Sequence, residues 1–402
     1  MKKLVIGLLA TTITTPALAA GVTVKPLLDL RLRWENVDQE GIAKDANAVT
    51  LRGRAGAEIT AGDFRLLGEA EGTAPIVDHY FSGLNGKTKY PLVGDPKNAE
   101  INRLQLQYKG LKKTTFTVGR QLINIEDQRF VGASAWRQNE QTFDAARVEY
   151  GDAKGLQLDL TYAWSDRTIW GIDGTGARQQ AVSGNNVFAT ASYPTPLGKL
   201  TGFAFLVDQD EAAVQNFRQS SQSYGGRFAG SHPLSKAAKL TYALSYARQT
   251  DYHRNPNHYH ADYALAELGA EIGAAKAGIG YELLGADKGV AFTSFQTPLA
   301  TLHKFQGWAD KFLTTPPNGI QDYYGQAGYG WKKVAGLDAI NALVVYHRFD
   351  SARADQHYGN EWDASLAAKK GKWTVTAKFA DYRAKQFATD TRKAWLQLEW
   401  VY

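Results

Sequence analysis

Leu28-Asp29-Leu30-Arg31-Leu32-Arg33-Trp34-Glu35 alternates apolar and charged residues without a break. Successive side chains on a β-strand point to opposite faces. The segment therefore has one apolar face, Leu28, Leu30, Leu32 and Trp34, and one charged face, Asp29, Arg31, Arg33 and Glu35. The same period returns downstream. Val49, Leu51, Gly53, Ala55, Ala57 and Ile59 alternate with Thr50, Arg52, Arg54 and Glu58, and Leu156, Leu158, Leu160, Tyr162 and Trp164 alternate with Gln157, Asp159 and Thr161. The chain ends on an uninterrupted stretch of this kind, Trp395-Leu396-Gln397-Leu398-Glu399-Trp400-Val401-Tyr402, with Leu396, Leu398, Trp400 and Tyr402 on one side.

In a soluble sandwich the apolar face would turn to a core; in an outer-membrane barrel it turns to lipid and the polar face lines the lumen. Arg and Glu at successive inward positions suit a wet lumen. The other face is rich in Leu, Ala, Gly and Val, with Tyr and Trp near segment ends, as an aromatic girdle requires. Candidate strands fall at 24–36, 47–60, 63–73, 99–109, 113–121, 142–150, 155–166, 184–193, 198–209, 221–230, 238–250, 259–272, 275–286, 321–333, 338–349, 359–369, 371–382 and 391–402. The reading is an all-β fold: a transmembrane antiparallel β-barrel of about 18 strands, with 16 as the alternative count. An even number puts both termini on one side, the periplasm.

Composition agrees. Of 402 residues 44% are hydrophobic, which excludes a disordered chain. The mean hydropathy of −0.37 argues against membrane helices. There is no Cys, so neither a disulfide scaffold nor a thiolate metal site is available. Residues 1–19 read as a signal peptide, with Lys2 and Lys3 ahead of the apolar run Leu4–Ala10 and an Ala17-Leu18-Ala19 cleavage box. The net charge of +6 falls when these lysines leave, and no basic block points to nucleic acid. Residues 20–402 are then the barrel, and the expected location is the bacterial outer membrane.

No catalytic motif stands out, and no enzyme activity, cofactor or metal is expected. Gly132-Ala133-Ser134-Ala135-Trp136 lacks the last Gly of a nucleophile elbow. His258 and His260 could share a metal, and Asp208, Asp210 and Glu211 a calcium ion, but solvated loops account for both. The inward charges say more. Arg31, Arg33, Arg52, Arg54, Arg65, Arg103 and Arg147 belong to the first six strands, whereas Glu267, Glu271, Glu282, Glu361 and Asp363 belong to later ones. That split predicts a basic wall facing an acidic one, a field that orients charged solutes. The equal alternative is that Arg and Glu brace the wall across strands, with Glu35, Glu58, Glu69 and Glu71 as partners.

Between strands, residues 119–147 form an expected inward loop that narrows the lumen, carrying Arg120, Arg129, Arg137 and Arg147 with the aromatics Phe130, Trp136 and Phe143. Residues 287–320 form an expected long outer loop, and 74–98 a third.

Gly119-Arg120-Gln121, Asp127-Gln128-Arg129-Phe130-Val131-Gly132 and Trp136-Arg137-Gln138-Asn139-Glu140-Gln141-Thr142-Phe143-Asp144 resemble the alginate-export family of outer-membrane proteins. The block Phe295–Phe312 with Leu313-Thr314-Thr315-Pro316-Pro317 is similar to a second block of its porin-like relatives. The resemblance spans the mature chain. It implies a monomeric 18-stranded barrel whose electropositive constriction passes an anionic polysaccharide outward. Arg120, Arg129 and Arg137 match the motif arginines, which implies a pore-lining role for them. The mature chain is shorter than the exporter that gives the family its name, so alginate itself is left open.

The function expected is a channel for passive passage of anionic or sugar-like solutes, with outer-membrane lipids, the barrel assembly machinery and an anionic or carbohydrate solute as partners. The alternatives are an enzyme or adhesin on a barrel platform, and a soluble secreted glycan-binding β protein.

Overall fold

A computed structural model describes residues 21–402; the signal peptide expected at 1–19 lies outside the described residues. The strands are β1 (Val22–Gln39), β2 (Ala46–Ala61), β3 (Phe64–His79), β4 (Asn98–Tyr108), β5 (Thr114–Gln121), β6 (Thr142–Tyr150), β7 (Gln157–Arg167), β8 (Ala181–Thr195) and β9 (Gly198–Val207). They continue as β10 (Ser221–Pro233), β11 (Ala238–Asp251), β12 (His260–Ile272), β13 (Ala275–Leu284), β14 (Ile320–Val334), β15 (Leu337–Asp350), β16 (His357–Lys370), β17 (Trp373–Ala384) and β18 (Thr391–Val401). Each pairs antiparallel with its sequence neighbours, and β1 also pairs with β18, so that Arg31 lies between Arg52 and Glu399. The 18-stranded sheet therefore closes and leaves no edge, the one way a sheet satisfies every backbone group in lipid.

Alternation decides what faces where. Leu30, Leu32 and Trp34 are exposed on the outside while Arg31, Arg33 and Glu35 are buried inside. Leu396 and Leu398 are likewise exposed, against buried Trp395 and Gln397. At the end where β1 begins and β18 finishes, links are short. Gly62, Gly273 and Gly371 each adopt φ near +60°, with nothing close to a would-be Cβ. There the left-handed backbone alone asks for glycine.

Three loop limits differ from the sequence reading. The third loop covers only 80–97, because β3 continues to His79. Pro75 lies opposite Thr50 where the register shifts, so its missing N–H falls at a bulge instead of breaking the ladder. The irregular part of 119–147 is 122–141, and the long loop runs over 285–319. Both of these loops fold into the barrel, so the segment expected as an outer loop at 287–320 is corrected: its apolar Phe295, Leu299 and Phe312 draw it inward. Their apolar residues, among them Ile123, Val131, Phe295, Leu299 and Phe312, form a core with Phe143, Phe188, Tyr263, Phe349 and Tyr382 of the wall. The apolar core thus sits inside the lumen, built between loops and wall.

Candidate functional site

The loop 122–141 crosses the lumen between two anchorages. At its far turn Glu126 accepts from Lys199 (2.6 Å), and Asp127 pairs with Arg227 of β10 (2.8 Å). On its return Arg31 Nη1 donates to the carbonyls of Ala135, Trp136 and Arg137 (3.1–3.4 Å). Arg33 donates to the Trp136 carbonyl and stacks on its indole, 4.0 Å from the ring centre. Gln138 then donates from its backbone N–H to Asp95 (2.9 Å) and from its amide to Thr50 (2.8 Å). Arginine suits this work, because its planar fork bonds and stacks at once.

The long loop 285–319 locks onto the first. Gly132 N–H donates to the Leu299 carbonyl (2.9 Å), and Thr301 N–H to the Gln128 carbonyl (3.1 Å). Ser134 sits in this seam, its hydroxyl donating to the Ala300 carbonyl. Further along, one carboxylate gathers three partners. Asp310 accepts from His303 Nδ1 (2.8 Å), Arg137 Nη2 (2.9 Å) and Lys393 Nζ of β18 (2.7 Å). Burial opposes its charge, but Lys393, His303 and Arg137 together hold the Asp310 carboxyl well below the usual range. Burial, with Lys378 adjacent, holds His303 well below its ordinary 6.5. The ring is therefore neutral: Nδ1–H donates to Asp310, and Nε2 accepts from Lys378 of β17 (2.8 Å). Lys378 Nζ also lies over Trp136 (4.0 Å) and Trp308 (3.7 Å), one indole from each loop.

The arginines picked out in sequence therefore occupy three kinds of place. Arg31, Arg33, Arg52, Arg54, Arg129 and Arg137 are each at most 9% exposed. Their charges are matched: Arg31 by Glu399, Arg33 by Asp95, Arg52 by Asp29, Arg54 by Glu71 and Glu140, and Arg129 by Glu282 (2.7 Å). Arg65, Arg103 and Arg147 face inward nearer the terminal end. Arg103 forks onto Glu69 (2.9 and 2.7 Å), and Arg147 onto Asp159. Arg120 departs from the pore-lining role that the resemblance implies: β5 runs through Gln121, and Arg120 pairs in register with Leu104, an exposed residue of the outer face. Its guanidinium bonds Asp144 there (2.8 Å).

The open lumen lies on the other side. A cavity of about 1270 Å³ is lined by β10–β15 toward the terminal end, and one of about 570 Å³ lies above it, beneath residues 303–308. Arg227, Glu267, Gln326 and Leu343 line both. The space exists because inward positions there carry almost no side chain: Ala229, Ala243, Gly269, Gly278, Gly328 and Gly330. Gly280 also faces inward, and the Tyr324 ring lies where its Cβ would be, on the way to a hydrogen bond with Glu267 (2.6 Å). Sequence reading missed this wall because it ranked inward residues by charge. Ranked by size, the Gly and Ala of β10–β14 would have marked it. Of the expected acidic residues, Glu267 and Glu271 do line the larger cavity, and Glu282 the smaller. Glu361 and Asp363 are buried and accept the backbone N–H groups of Ala309 (2.6 Å) and Trp308 (3.1 Å).

The loop sites have their own partners. Asp208 accepts from the Asn185 N–H (3.0 Å), Asp210 pairs with Arg254, and His258 lies 3.1 Å from Asp251.

A closed barrel with lipid-facing apolar residues and a lumen narrowed but not filled by inward loops defines an outer-membrane channel for the passage of solutes. The sequence profile of the alginate-export family matches residues 28–283, β1 through β13, and the chain belongs to that family. No curated protein matches the chain in sequence. Among solved structures it is similar to OccAB3 of Acinetobacter baumannii, at 15% identity and a TM-score of 0.70, over 94% of this chain and 99% of that one. It is similar to OpdK of Pseudomonas aeruginosa, solved with vanillate, at 13% identity and 0.69, over 94% and 98%. It is similar also to OpdQ of the same organism, at 15% and 0.66, over 94% and 98%. At these identities the likeness is one of fold.

Proposed function

We propose that the chain is a non-enzymatic, passive channel of the bacterial outer membrane for small anionic or sugar-like solutes. The observation that carries the reading is the pair of connected cavities along β10–β15, which share Arg227, Glu267, Gln326 and Leu343. Their lining mixes Lys276, Lys332, Lys333, Lys304 and Lys378 with Glu267, Glu271, Glu282 and Asp322, and adds amide groups from Gln306, Gln326 and Asn341. Such a wall replaces the hydration of hydroxyl and carboxylate groups without holding them tightly, which conduction needs. The buried arginines hold the loops and give the conducted ion little field, because their charges are matched. Selectivity for anions is accordingly weak. A long anionic polysaccharide would pass only with the 122–141 and 285–319 loops displaced.

Outer-membrane lipids cover the Leu- and aromatic-rich outer face in this reading, and the barrel assembly machinery inserts the chain. The test is a planar-bilayer recording under a KCl gradient, followed by liposome swelling in arabinose, glucose and glucuronate. Steady unit currents with mild anion preference, and swelling in all three sugars, support the reading. An absence of unit currents from refolded protein, or a strong cation preference, overturns it.

A further inference from the structure

Outward-facing arginines gather on one side of the barrel, at the end opposite the short links. β15 and β17 finish there, and β16 and β18 begin there. Register sets Tyr323, Arg348, Asn360 and Arg383 in one row of the outer face. Two residues nearer the membrane centre, a second row holds Tyr346, Trp362, Asp381 and Arg392. Beneath it come Val344, Phe379 and Leu366, all exposed. Alternation with buried His347, Phe349, Tyr382 and Lys393 fixes the outward side. The guanidiniums are positioned but keep free donors. Asp381 accepts from Arg383 Nε and Nη2 (3.2 and 3.0 Å) and from Arg392 Nε (3.4 Å). Arg348 gives only its Nε to Asp350 (3.0 Å). Both Nη groups of Arg348 and of Arg392 are left without a partner among the described residues, on side chains 57% and 53% exposed. These two arginines stand three strands apart, on the order of 14 Å along the wall. The other outward arginines at this end form no such cluster. Arg120 uses all three nitrogens on Asp144 and the Ile101 carbonyl, and Arg248 of β11 has no outward arginine on β10 or β12 beside it.

We propose that this outer face of β14–β18 is a binding site for a phosphorylated glycolipid of the outer leaflet, one with a phosphate at each end of a disaccharide headgroup. The phosphates lie against Arg348 and Arg392, and the acyl chains run down over Tyr346, Trp362, Val344 and Phe379. The inference rests on the outer-membrane location and not on what the channel conducts. Guanidinium matches phosphate through paired N–H donors. Aromatic rings at this level suit the boundary between sugar and acyl chain, as an aromatic girdle does. Asp350, Asp381 and Asp390 offset the three arginine charges, so general attraction of anions is weak and recognition depends on where the free donors stand. A phosphate ion would meet an arginine but leave the aromatic and aliphatic rows uncovered. A phospholipid with a single phosphate would reach only one of the two free guanidinium forks. A lipid with two separated phosphates meets both forks and the apolar rows beneath them.

The experiment offers the purified barrel in detergent bis-phosphorylated lipid A, monophosphoryl lipid A or phosphatidylglycerol, and counts retained lipid by native mass spectrometry. The wild type should hold one bis-phosphorylated lipid A about tenfold more tightly than either comparison lipid, as one hydrogen bond to a charged group provides. Arg348→Gln combined with Arg392→Gln should erase that advantage, and Arg248→Gln should keep it. Unchanged heat-dependent gel mobility shows that the variants are folded. Equal retention of the three lipids by the wild type would overturn the proposal, and so would an unchanged preference in the double variant. Release of lipid A by millimolar inorganic phosphate would make the patch a site for the free ion, and a dimer that the double variant disperses would give it to a second copy; either result overturns the glycolipid assignment. A wild type without unit current in KCl would overturn the channel reading and leave this result standing.

Discussion

Replacing Asp310 by Asn isolates one of the contacts that tie the two inward loops to the wall. The carboxylate lies against Arg137 (2.9 Å) and Lys393 (2.7 Å), all three with side chains at most 11% exposed, and it also orders His303. Removing one partner of a buried ion pair costs about 3–5 kcal/mol, because the remaining charges stay buried without compensation. The ladders of β17 and β18 do not involve Asp310, so the cost falls on loop docking, not on the barrel. About 4 kcal/mol shifts the balance of docked and undocked loop about a thousandfold. Two readouts follow. Single-channel traces of D310N should show frequent excursions to a larger conductance. Hydrogen exchange should speed up at the Trp308 and Ala309 N–H groups, which bond Asp363 and Glu361 in the docked loop. If D310N keeps the same current noise and the same protection at residues 308–309, the reasoning that the Asp310 carboxylate is a principal tie of the loops is wrong.

Acid should loosen the same clamp. Burial, with Lys378 and Arg137 close by, holds His303 below its ordinary 6.5 against the opposing pull of Asp310, whereas the undocked ring titrates near 6.5, so docking is at full strength above that value and weakens as pH falls beneath it. Recordings at about pH 5 should show more loop openings than at about pH 7.5. Ala229→Trp, on the inward face of β10 in the larger cavity, should lower the open-channel conductance while the barrel still folds into detergent micelles. Leu30→Arg places a charge on the lipid face in the middle of β1, where Leu30 is 46% exposed. It should cost about 2–4 kcal/mol in reversible unfolding from lipid, with no change in pore properties.

The wall of this protein was legible in its sequence and the contents of the lumen were not. Leu28–Glu35 and Trp395–Tyr402 carry a period of two strong enough to place each side chain on its face, because lipid and lumen demand opposite chemistry at successive positions. That residues within 119–147 leave the strand pattern was also readable, from the segment's length and polarity. Where its arginines end was not, since the partners lie far apart along the chain. Arg31 meets Glu399, Arg137 meets Asp310 and Trp136 meets Lys378. Local pattern holds no trace of such pairings. Arg120 shows a subtler failure. It falls in both the candidate strand 113–121 and the expected loop 119–147, and alternation with Val118 within the strand puts it on the outer face. The open side of the lumen was hidden for a different reason. It is written in small residues at inward positions, and charge draws the eye elsewhere.

The chain contains no cysteine, so single-cysteine variants report accessibility without background. Gln326→Cys and Ala229→Cys lie on the open β10–β14 wall, whereas Thr50→Cys lies on the arginine wall, 1% exposed beneath Gln138. A charged thiol reagent applied to conducting channels should step the current down at positions 326 and 229 and leave position 50 unchanged. Rapid block at position 50, with none at 326 and 229, would place the passage along the arginine wall and contradict the account.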